Sequence, residues 1–122
     1  MEQLTKKEEE LMQVFWKLGR GTVRDAIDNL QDDRKPPHST VSSVARILAK
    51  KGFLGFKAYG KTYEYYPLVS KEEYGKFSFR KMLTGYFDNS YKHLASFIGG
   101  EDLSSEEIKA LKSMIDNLPD DK

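Results

Sequence analysis

The chain of 122 residues has no cysteine, which excludes disulfides, thiolate metal sites and a cysteine nucleophile together. Its two histidines, His38 and His93, stand far apart, and neither has a metal-ligand partner at useful spacing. No apolar stretch reaches spanning length, and Met1 leads into the charged run Glu2 to Glu10 rather than a signal-like segment. The expectation is a cytoplasmic protein without membrane insertion. No glycine-rich phosphate loop follows a strand-like segment, and no nucleophile constellation is present. The carboxylates Glu8, Asp25, Glu73 and Glu107 fall at helix starts, where capping and the helix dipole account for them better than acid–base chemistry. An enzyme is not expected, nor is a cofactor or metal.

Acid is also missing from one long stretch. The formal charge is only +1, yet residues 34–63 hold 7 basic side chains and no acidic one. Residues 1–33 sum to −3 and residues 99–122 to −4. Binding follows local potential rather than the total, so this cationic window marks a partner of opposite charge. Apolar residues make up 39% of the chain, enough to bury one core and to argue against general disorder.

Thr5 and Glu8 have capping-box spacing, and Leu11, Met12, Phe15 and Leu18 recur at helical intervals, which predicts a first helix over 6–18. Thr22 can cap a second helix with Val23, Ala26, Ile27 and Leu30 at i, i+3, i+4 and i+7, ending near Gln31. After a loop closed by Pro36 and Pro37, Ser39 is expected to cap a third helix. Val41, Val44, Ala45 and Leu48 form its inner stripe, and Gly52 stops it. Residues 53–59 and 62–66 are rich in β-compatible aromatics around Gly60-Lys61, which predicts a hairpin. Ser70 with Glu73, and Ser104 with Glu107, make further capping boxes. A break is expected at residues 88–90, between the stripe ending at Tyr86 and the one running from Tyr91 to Ile98.

Three helices followed by a hairpin within about 62 residues is the order of a winged helix-turn-helix, whose third helix enters the major groove while the hairpin touches the backbone beside it. The expected fold is mainly α with a small β-hairpin wing over residues 1–69, followed by a C-terminal helical dimerisation region over 70–122. The expected partner is double-stranded DNA. Arg34, Lys35, Lys57 and Lys61 are candidates for phosphate contacts. Thr40, Ser42, Ser43 and Arg46 lie on the polar face of the third helix and are candidates for base edges. His38, Ser39 and Lys50 complete that surface. Tyr59, Tyr63, Tyr65 and Tyr66 are read as structural, packing on a core or across strands. A winged-helix module that only docks proteins is the alternative, because this fold also serves as a scaffold.

These pieces together resemble the penicillinase-repressor family of bacterial regulators, the BlaI/MecI/CopY group, over nearly the full length. The matching pieces are Leu4-Thr5, Leu11-Met12 and Phe15-Trp16, then Thr22 to Asp25, Ser39 to Val41 through Leu48, and Lys51-Gly52. Gly60 to Tyr65, Pro67 to Ser70, Glu72 to Tyr74, and Leu103-Ser104 with Glu106 to Ile108 follow in order. The resemblance implies a homodimeric repressor on an inverted-repeat operator, held by its C-terminal helices, in the manner of antibiotic-resistance regulators. Tyr86, Tyr91, Leu94, Ile98, Ile108, Leu111, Ile115 and Leu118 fit that dimer seam, although the same residues could fold onto the chain's own core. It also implies derepression by cleavage at Ser96-Phe97, through a membrane-sensor metallopeptidase or another protease. The chain departs from the family's common pattern at Ser42, where lysine is frequent, at Lys61, where arginine is common, and at Ser96, where well-known members carry asparagine. Copper-responsive members use a cysteine-rich C-terminus, which this chain lacks.

Overall fold

The computed structural model describes residues 1–88, 90, 93, 94, 97 and 104–116. Of the residues singled out above, Tyr91, Ser96, Ile98, Leu103 and Leu118 lie outside the described residues, as do residue 89 of the expected break and the side chains of Ile108, Leu111 and Ile115. Residues 2–71 pack as one unit, and residues 72–122 belong to a second.

In the first unit, Thr5 opens α1 (Lys6–Leu18) with the expected reciprocal cap. The Glu8 N–H donates to the Thr5 hydroxyl at 3.2 Å, and the Thr5 N–H donates to the Glu8 carboxylate at 2.9 Å. Two orphan donors of the first turn are thereby satisfied. A two-residue strand, β1 (Gly21–Thr22), follows and was not legible as a strand in the sequence. Thr22 then caps α2 (Val23–Asp28), with Asp25 closing a second capping box. The helix ends at Asp28, short of the expected Gln31, with Asn29 and Leu30 held by single-turn bonds to Ala26 and Ile27.

The third helix, α3, spans His38–Lys50, and its start corrects the expected cap. Pro37 occupies the cap position at φ −60° and ψ 147°, and Ser39 sits inside the first turn without capping it. Proline is held near the φ this position takes but has no side chain that can accept a hydrogen bond, so the helix begins without a side-chain cap. The far end follows expectation: Gly52 at φ +86° donates to the Ala49 carbonyl at 3.1 Å, and Phe53 donates to that of Leu48 at 2.9 Å. This is a Schellman stop, and its apolar clasp is Leu48 against Phe53, both buried.

The hairpin pairs β2 (Leu54–Tyr59) with β3 (Thr62–Pro67), from Tyr59 opposite Thr62 to Leu54 opposite Pro67. Its two-residue loop places Gly60 at φ +62°, where side chains are disfavoured. β1 pairs with β3 through Gly21 opposite Tyr65, so the sheet has three antiparallel strands in the order β1-β3-β2. Met12, Phe15, Ala26, Ala45, Leu48, Phe53, Leu54 and Tyr65 fill the core between helices and sheet. The Trp16 indole donates to the Val69 carbonyl at 2.8 Å, tying α1 to the segment after the sheet.

The second unit contains α4 (Lys71–Tyr86) and α5 (Ser105–Asp116). Leu83 and Leu94 are buried together, with Phe79 and Phe87 packed against them. Leu94, expected at a dimer seam, is therefore only 5% exposed within its own chain. Ser104 and Glu107 make the expected capping box at the start of α5. No helix among the described residues is long and apolar enough to cross a membrane.

Candidate nucleic-acid interface

The inner stripe of α3 (Val41, Ala45, Leu48) is buried, which turns His38, Ser39, Thr40, Ser43, Arg46 and Lys50 outward. Ser42 is half-buried on the side of the helix that meets the sheet. The Ser43 hydroxyl donates to the Ser39 carbonyl at 3.0 Å, so it offers a partner its lone pairs rather than its proton.

Beside this helix lies an open cleft of about 380 Å³. His38, Ser42 and Arg46 line one wall, Lys61, Thr62 and Tyr63 the wing wall, and Thr22 and Arg24 the end at the start of α2. Tyr65 forms the floor. Burial raises the Tyr65 phenol above its ordinary value of 10.0, while the positive charge of nearby Arg46 pulls the other way. No carboxylate lines the cleft. Asp25, next to Arg24, is committed to the α2 cap, with its oxygen 2.9 Å from the Thr22 N–H.

The structure thus brings together four residues singled out from the sequence (His38, Ser42, Arg46 and Lys61) and adds Arg24, which the charge count missed. Arg24 lies outside the acid-free window, next to Asp25 and four residues before Asp28, so counting by segment hid it. Lys57 is not part of the cleft. Strand alternation places it on the other face of the hairpin, opposite Glu64 in register and 5.4 Å from the centre of the Tyr59 ring. Lys35 folds back to donate to the Leu30 carbonyl. Among the tyrosines read as structural, Tyr65 is buried against Phe15, whereas Tyr59, Tyr63 and Tyr66 remain exposed on the wing. Tyr63 packs across strands on Phe56 with ring centroids 5.2 Å apart.

A second charge arrangement lies between α1 and the end of α3. Lys51 donates to both oxygens of Glu8, at 2.9 and 3.0 Å, and approaches Glu2 at 3.7 Å. This lysine belongs to the cationic window but is consumed internally. For Glu8, burial by itself raises the carboxyl pKa; the Thr5 N–H and Lys51 outweigh it and hold the group below its ordinary 4.5. Among the described residues, no group of three or more histidines and carboxylates converges as a metal site.

Three helices, a two-stranded wing and a third short strand closing the sheet define a winged helix-turn-helix protein, with its basic cleft between the third helix and the wing. The penicillinase repressor family model matches residues 4–117, and the chain belongs to that family. It is 25% identical over 114 residues to the methicillin resistance regulatory protein MecI of Mammaliicoccus sciuri, covering 93% of each chain. It is 24% identical over 115 residues to the penicillinase repressor of Bacillus licheniformis, covering 93% of this chain and 90% of the relative. An uncharacterised 16.5 kDa protein encoded beside ptsI in Latilactobacillus sakei is 31% identical over 116 residues, 93% of this chain and 78% of its own length.

Proposed function

We propose that this chain is a transcriptional repressor that binds double-stranded DNA as a homodimer on an operator of two-fold symmetry. The observation that carries the reading is the acid-free cleft in which Arg24, Arg46 and Lys61 converge from α2, α3 and the wing. Three cations on three elements around one concave surface suit a curved polyanion, and the exposed polar face of α3 beside them suits a groove edge. Membership of a repressor family supports the regulatory role. Arg24 and Lys61 hold phosphates, and Arg46 reaches a base edge, where a guanidinium can bond guanine bidentately.

The dimer is carried by the second unit. The described side chains of α5 from Ser105 to Glu107, and Lys109, Ala110, Lys112 and Ser113, are all exposed. In the sequence of the same helix Ile108, Leu111 and Ile115 recur at three-four spacing, the pattern of a helix seam. Tyr86, 82% exposed at the end of α4, adds to it.

Binding is tested with DNA from upstream of the protein's own gene against a random duplex of equal length. The expected result is a clear preference for the former. Arg46→Ala lowers that preference by about 1–3 kcal/mol, whereas Lys61→Ala weakens both duplexes about equally. Equal binding of the two duplexes by the unaltered protein contradicts the proposal. Sedimentation of Leu111→Asp tests the seam: the expected species is a monomer, and an unchanged dimer mass contradicts it.

A further inference from the structure

The exposed surface of α3 is chemically divided. Ser39, Ser43 and Lys50 form its outermost ridge, at spacings that keep them on one line of the helix. Arg46 stands on one side of that ridge and turns into the cleft with Ser42 and His38. Ile47, one residue on and so about 100° further round, stands on the other side and is 45% exposed. It is the large apolar side chain that α3 leaves open to solvent; Val41, Ala45 and Leu48 close the core without it.

Ile47 is only partly buried and is not among the residues that close the core, and a β-branched residue is a poorer helix former than alanine, leucine or lysine, so helix formation does not account for it. Its exposed neighbours on α3 are hydroxyls and cations, with no acid on the helix, and the carboxylates nearest its far end, Glu2 and Glu8, are paired with Lys51. That charge suits a nucleic acid rather than an apolar protein surface as the occupant. The small hydroxyl residues on the ridge let the helix backbone come close to base edges, within reach of a short aliphatic side chain. In the major groove the apolar feature of a base edge is the C5-methyl of thymine.

We infer that Ile47 is a specificity-determining residue that reads thymine methyl groups on the flank of α3 opposite Arg46. The inference rests on the DNA-binding reading above and adds a base identity to it. Half-sites are therefore expected to carry thymine on one side of the position read by Arg46.

The test compares the operator duplex with one in which deoxyuridine replaces thymine, a change that removes the methyls and leaves base pairing intact. Affinity is measured by fluorescence anisotropy for the full-length protein and for Ile47→Ala. The unaltered protein is expected to lose about threefold to fivefold per half-site on the uracil duplex, the worth of one buried methyl. Ile47→Ala is expected to bind the thymine duplex more weakly by a similar factor and to be indifferent to the replacement. Because each protein is compared with itself on two duplexes, a change in folded fraction or in the stiffness of uracil DNA cancels from the double difference. Unaltered affinity of the parent protein for uracil DNA, or an undiminished loss in Ile47→Ala, overturns the assignment of Ile47 alone. Failure to bind any duplex overturns the DNA-binding reading with it.

Discussion

Glu8 performs two tasks with one carboxylate. It closes the cap of α1 and receives Lys51 from the end of α3, joining the first helix of the unit to the helix that faces the cleft. Although burial alone raises its pKa, the Thr5 N–H and the lysine hold it below 4.5, so the folded state binds this proton less readily than the unfolded chain. Stability from this group is therefore present above its ordinary value and is lost as pH falls from about 4.5 through the folded value. Glu8→Gln is expected to cost about 1 kcal/mol at neutral pH, the scale of one hydrogen bond with the ion pair reduced by the solvent reaching Lys51. Denaturant unfolding at pH 7 and at pH 3.5 checks this, and the difference between parent and variant should shrink at the lower pH. A difference that persists unchanged in acid contradicts the ionic part of the account.

At the scale of elements, the stop of α3 fixes where the wing begins. Gly52 must hold φ +86° for Phe53 to bond back to Leu48 and enter the core before β2. Gly52→Ala places a Cβ in that left-handed conformation and is expected to cost about 1–2 kcal/mol, read as a lowered urea midpoint with unchanged slope. Such a stop is legible in sequence because glycine after a cationic last turn has a local cause. The start of α3 is less legible: Ser39 looks like a cap by type, but Pro37 and His38 set the boundary through fixed φ and the chain's approach from the loop. β1 is illegible for a different reason. Two residues carry no period, and Gly21 and Thr22 become a strand only because Tyr65 and Glu64 arrive from far along the chain to pair with them.

For the whole molecule, part of the lining of the cleft was legible in the sequence and part was not. Charge counting located the window that holds Arg46 and Lys61, because both lie within one uninterrupted basic stretch. It could not see that strand alternation sends Lys57 to the other face, that Lys51 is spent on Glu8, or that a cation from α2 completes the cleft. Those facts belong to tertiary placement. The central claim is that Arg24 and Lys61 hold phosphates on either side of Arg46, once in each protomer of the proposed dimer. The most direct test is the salt dependence of operator binding between about 50 and 200 mM, for the parent protein and for Arg24→Ala and Lys61→Ala. With at least two phosphates held per protomer, the predicted slope of log K against log salt is about −4 or steeper, and each substitution should make it shallower by about 2 in the dimer. A slope near zero, or one that neither substitution changes, contradicts the account.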